Sequence, residues 1–133
     1  MSGEHDLNIL LRSMSATSID GTFVFVTLPE REIPDGLSRR MVFQEAEGTT
    51  LILLKSEAEA HAMAYEFPSR MITLNVHSAL DAVGFIALIA TKLAAAGMGV
   101  NPVAGFFHDH LFIPEDRADD AIAILKQIAS DAV

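Results

Sequence analysis

The sequence predicts an α+β protein made of tandem ferredoxin-like units, with helices packed on antiparallel sheets. Three observations lead there. Apolar runs of period 2 alternate with runs of period 3.6 along the whole chain. The second half reads β-α-β-β-α, and the first half approximates α-β-β-β-α leading into the next strand. At 133 residues with no cysteine, the chain can bury a core without disulfides or thiolate-bound zinc. Element order places one unit at residues 1–67 and the second at 68–133.

Each element has a local cause. Leu7, Leu10, Leu11 and Met14 recur at helical spacing and predict a short amphipathic helix. "GTFVFVTLPE" follows as a strand of β-branched and aromatic residues stopped by Pro29. "REIPDGLSRR" carries Pro34 and Asp35-Gly36, two turn signals, and reads as a loop. "MVFQEAEGTTLILLK" gives two strands joined near Glu47-Gly48. Ser56 and Glu59 form a capping-box pattern, predicting a helix from Ser56 to about Met63.

After Pro68 the second series begins. Ile72, Leu74 and Val76 fall on one face of a strand, with Met71, Thr73, Asn75 and His77 on the other. "LDAVGFIALIATKLAAAG" is a helix ended by Gly97, the customary left-handed residue after a helix. Between Val83 and Ala96 only Thr91 and Lys92 are clearly polar, so this helix needs cover on more than one side. A sister unit or a second subunit would supply it, which favours an oligomer or a closely packed tandem. Strands over "MGVNPVAGFF" and "HLFIPE" precede the last helix. There Ala118, Ala121, Ile122, Leu125, Ile128 and Ala129 make one stripe, and Glu115, Asp116, Asp119 and Asp120 sit at the positive end of the dipole.

Charge narrows the function classes. Nine basic residues against 18 acidic ones leave a net charge of −9. A phosphate backbone or an anionic membrane surface would repel such a chain, so neither nucleic acid nor membrane is an expected partner. The N-terminus lacks a basic region before its apolar stretch, and the segment 82–100 is interrupted by Thr91, Lys92 and three glycines. A cytoplasmic globular protein is the expectation.

"GFFHDHLFIPED" places His108, Asp109 and His110 inside an apolar run. Either the chain turns at Phe107-His108-Asp109, between strands over 101–106 and 110–113, or His108 and His110 begin a metal site. The His-X-His spacing is not that of a helical hydrolytic zinc motif, and the sequence marks no third ligand. The turn is the preferred reading, and no catalytic residue or cofactor is expected. The sequence has no GxSxG, no P-loop and no GxGxxG.

A ligand has one place to go. The strand ending at His77 leads through residues 78–83 to a helix opening at Gly84-Phe85. Free amides at a helix start attract a carboxylate, Gly84 allows close approach, and Asn101 offers an amide on the next strand. An equally simple reading is that Gly84 permits tight packing and Asn101 satisfies a strand end.

The stretch "LNVHSALDAVGFIALIATKLAAAGMGVNPVAGFFHDHLFIP" resembles the ACT domain, an amino-acid-binding regulatory module. The likeness extends to the tandem ACT proteins of aspartokinase regulatory regions and cytosolic arginine sensors, and "MVFQEAEGTTLILL" is similar to the N-terminal unit of that group. The resemblance implies a non-enzymatic homo-oligomer, a dimer above all, that binds a small amino acid where two ACT units meet. It implies a pocket of Ser78, Asp81, Val83, Gly84, Phe85 and Asn101, with Asp81 on the amino group and the helix-start amides on the carboxylate. ACT modules usually regulate an attached enzyme. With no catalytic domain in this sequence, the implied action is on a separate partner enzyme. A ligand-free interaction module is the alternative.

Overall fold

The computed structural model describes residues 2–29 and 32–133. Chain order runs α1 (Leu7–Ser13), β1 (Ala16–Leu28), β2 (Arg39–Gln44), β3 (Thr49–Leu54), α2 (Lys55–Ala60) and β4 (Glu66–Leu74). It continues with α3 (Phe85–Ala95), β5 (Asn101–Ala104), β6 (Asp109–Pro114), a 3₁₀ turn (Glu115–Arg117) and α4 (Ala118–Asp131). This is the predicted order in both halves, and its α+β content is that of the ferredoxin-like class.

Packing groups the chain differently from its order. Gly21–Ser69 forms one compact unit, and the stretch up to Asp20 joins Arg70–Val133 in the other. The unit boundaries fall inside β1 and β4, so they do not coincide with the division of the sequence at 67/68.

In the unit Gly21–Ser69 the strands are ordered β2-β3-β1, all antiparallel. Phe23 lies opposite Leu54 and Val26 opposite Leu51, while Val42 of β2 faces Leu51 from the other side. Val24, Val26, Leu51 and Leu53 bury one face against Ala58 of α2 and Leu37 of the preceding loop. Ser69 is fully buried and donates its hydroxyl to the Phe23 carbonyl at 3.0 Å. The β2–β3 turn closes with the Glu45 N–H donating to the Gly48 carbonyl at 2.8 Å. A Cβ on Gly48 would lie 2.6 Å from the Leu28 carbonyl oxygen, which explains the glycine.

The capping box expected at Ser56 does not form. α2 follows β3 directly, Leu54 occupies the cap position, and no side chain bonds to the first turn. Ser56 is already inside the helix. α2 is also shorter than expected, because Ala62 turns to a positive φ of 54° and the Met63 N–H returns to the Ala58 carbonyl.

The other unit orders its strands β4-β6-β5, with β5 and β6 antiparallel. Ile72 and Leu74 of β4 and Leu111 and Ile113 of β6 form the sheet side of the core, and Val76 packs at its edge. Phe85, Ile89 and Leu93 of α3 and Ala121, Leu125 and Ile128 of α4 form the helix side. Leu10, Leu11 and Met14 of α1 belong to the same core. The cover that α3 was expected to need comes from α1 and α4, both of which pack against it. The rest of its surface is Ala87, Thr91, Lys92, Ala94 and Ala95, side chains too small or too polar to require more.

Helix ends show their chemistry. Asp6 caps α1, its Oδ1 accepting the Ile9 N–H at 3.0 Å. Gly97 takes a positive φ of 81° just past α3, as expected, and the Gly97 and Met98 amides return to the carbonyls of Ala94 and Leu93. Arg117 donates to the Ala96 carbonyl at 3.0 Å and holds Asp120 at 2.9 Å. No described helix is long and apolar enough to cross a membrane.

Candidate functional site

The loop between β4 and α3 is held from three sides. Asn75 donates through its backbone to the Ser15 carbonyl at 2.7 Å and through its side chain to Thr17 at 2.7 Å. The segment before α1 lies along the loop like a short strand. The Glu4 N–H donates to the His77 carbonyl, the Ala79 N–H returns to the Glu4 carbonyl, and both distances are 2.9 Å. Gly3 approaches so closely that a Cβ there would lie 2.6 Å from the Ala79 nitrogen. At the loop's far side the Ser78 hydroxyl donates to Asp109 Oδ2 at 3.0 Å.

Inside this frame is a cavity of about 330 Å³. Ser78, Ala79, Ala82 and Gly84 of the loop line it, with Phe85, Ile86 and Ala87 of the first turn of α3. Pro102 and Ala104 of β5 and Asp109 of β6 complete the wall. Gly84 stands at the cap position with φ 95°, and no side chain caps the helix. The first-turn amides of α3 therefore have no intrahelical carbonyl and no side-chain acceptor. Gly84 is required by its backbone angle rather than by crowding, since a Cβ there would meet only Leu7 Cδ2 at 3.5 Å.

Of the residues implied by resemblance, Ser78, Gly84 and Phe85 line the cavity. Asp81, Val83 and Asn101 are not among its lining residues. Asp81 turns to His5, with Oδ1 2.7 Å from Nε2. Val83 is 85% exposed, and Asn101 opens β5 opposite Phe112, exposed. The carboxylate that does reach the cavity is Asp109, which is 7% exposed.

Asp109 was expected in the hairpin connection, but the structure places it in β6, opposite Ala104. The turn is one residue earlier, closed by the Gly105 N–H donating to the His108 carbonyl at 2.9 Å. Asp109, Leu111 and Ile113 then share one strand face, and two of them are core residues. A carboxylate in phase with core positions needs a buried partner, and that periodicity was a readable signal. His110 lies on the opposite face, its Nδ1 3.0 Å from Thr73 Oγ1, and its ring centroid is 6.4 Å from that of His108. Among the described residues no group of three or more His, Asp or Glu is placed to hold a metal ion.

Two family models, both described as ACT domain, match the chain over residues 2–70 and 66–127. The chain belongs to the ACT domain family. This ACT-domain protein is 36% identical to a Vibrio cholerae protein described as of unknown function and a possible transport protein. That structural match has a TM-score of 0.82 and covers 92% of this chain and 95% of the other. An Agrobacterium tumefaciens protein matches with TM-score 0.69 at 15% identity, over 87% of this chain and 89% of its own. The regulatory subunit of aspartate kinase from Thermus flavus matches with TM-score 0.64 at 10% identity, over 86% of this ACT-domain protein and 96% of its own chain. At those identities the last two share the fold alone. No curated protein matches the chain.

Proposed function

We propose that this ACT-domain protein is a non-enzymatic sensor that binds a small amino acid in the cavity at the start of α3. One observation carries the reading. The uncapped first turn of α3 and the buried carboxylate of Asp109 line the same cavity of about 330 Å³. Helix-start amides attract a carboxylate, with about 0.3–1 kcal/mol from the dipole alone. Asp109 supplies the opposite charge for an ammonium group, the role that resemblance alone gave to Asp81. Ala79, Ala82, Ala87 and Ala104 leave room for a short side chain, and the volume lies at the small end of about 300–1,000 Å³ for ligand pockets.

ACT domains are typically regulatory, so the bound amino acid would control a partner enzyme. The family matches at 2–70 and 66–127 support reading the sequence as two ACT modules divided near residue 67. Cytoplasmic placement belongs to the same proposal. Isothermal titration of the protein against the twenty amino acids is the test. Binding of one or a few, lost in Asp109→Asn, is the expected result; no heat with any of them sinks the reading.

A ligand-free interaction module is the second reading, and the β5–β6 hairpin favours it. Phe106 and Phe107 are each 61% exposed, with ring centroids 5.0 Å apart and His77 5.4 Å from Phe107. Under that reading Phe106→Ser abolishes partner capture while amino acids have no effect on the protein.

A further inference from the structure

We propose that β2 is a self-pairing edge, joining β2 of a second copy in an antiparallel ladder centred on Val42. β2 is the outer strand of the β2-β3-β1 sheet, so one row of its N–H and C=O groups has no neighbour within that sheet. Proteins commonly blunt such an edge with proline, with short length or with inward charges. β5 is blunted in this way: it has four residues, and Pro102 supplies no N–H. β2 has six residues and no proline, and it exposes 41% of Val42 and 61% of Phe43.

The sequence of this edge complements itself when turned around. Antiparallel pairing centred on Val42 sets Val42 against Val42, Met41 against Phe43, Arg40 against Gln44 and Arg39 against Glu45. Each contact except the central one occurs twice, as two-fold symmetry requires. Val42 lies on the face of its neighbour Leu51, which packs on α2, so the central pair would extend that core. Met41 and Phe43 lie on the opposite face and would close over each other there. Basic residues at one end of the strand meet an acidic residue at the other. The register shifts between Arg39 and Met41, confining the regular ladder to Met41–Gln44, and the long side chains of Arg39 and Glu45 span its ends. Glu45 already accepts the Thr50 hydroxyl, and a carboxylate has acceptor sites left for a guanidinium. A shift of one residue in this pairing would break both the charge match and the facial match.

The test uses the register. Sedimentation equilibrium should show the wild-type protein as a dimer. Arg39→Glu and Glu45→Arg should each weaken it by about tenfold or more, by placing like charges opposite one another. An equimolar mixture of the two variants restores opposite charges at both ends and should form a heterodimer of wild-type strength. Circular dichroism checks that both variants fold. Because the chain has no cysteine, Val42→Cys should oxidise to a covalent dimer, and Ser130→Cys on α4 should not. A monomeric wild type, single variants that dimerise normally, or a mixture without rescue would each overturn the proposal.

Discussion

The Ser78 hydroxyl donates to the carboxylate of Asp109 at 3.0 Å, tying the loop before α3 to the first residue of β6. The bond spans 31 positions of sequence and fixes one wall of the cavity. It also orients a 7%-exposed carboxylate whose remaining acceptor sites are open to a ligand.

Asp109→Asn keeps the shape and the hydrogen bond from Ser78 but removes the charge. A charge-assisted hydrogen bond contributes about 1.5–3 kcal/mol, so affinity for the amino acid should fall about tenfold or more. Thermal stability should change little. Paired titration and melting measurements separate the two; equal affinity in the variant removes Asp109 from the site.

Gly84→Ala tests the backbone rather than contacts. At φ 95° an alanine is strained, and the nearest atom to its Cβ is Leu7 Cδ2 at an ordinary 3.5 Å. Urea unfolding should show a loss of about 1–2 kcal/mol. A neutral result would mean that the helix start relaxes into another conformation.

Leu10→Ala tests whether α1 is part of the core. Leu10 is 1% exposed and packs among residues of α3 and α4. Truncation should cost about 2–5 kcal/mol. A loss below about 0.5 kcal/mol, the range of surface changes, would mean that α1 is a loose appendage.

Asp6 and Ser56 make opposite predictions from similar sequence signals. Asp6→Ala removes a formed cap on α1 and should cost about 0.5–2 kcal/mol. Ser56→Ala removes a side chain that caps nothing and should stay within about 0.5 kcal/mol of wild type. Chemical denaturation of both variants checks the contrast.

Why one signal succeeded and the other failed is instructive. A capping box needs an extended residue before the helix, and β3 runs into α2 without leaving a position for one. Ser56 and Glu59 have the right spacing but the wrong place on the helix. Gly97 ended α3 as expected, because a left-handed residue after a helix is a local requirement. Asp109 was harder, since its role depends on where the hairpin turns. A turn at Gly105–His108 rather than one residue later moves it from a wet loop to the core side of β6.

Order of elements, stop signals and apolar stripes were set by the sequence itself, because each arises from residues within a few positions of one another. The tertiary structure decided which distant residues meet. It put α1 with the second half of the chain, turned Asp81 to His5, and brought Asp109 beneath Ser78. Such pairings depend on strand register and on which apolar faces are left to cover, and neither is encoded at any single position.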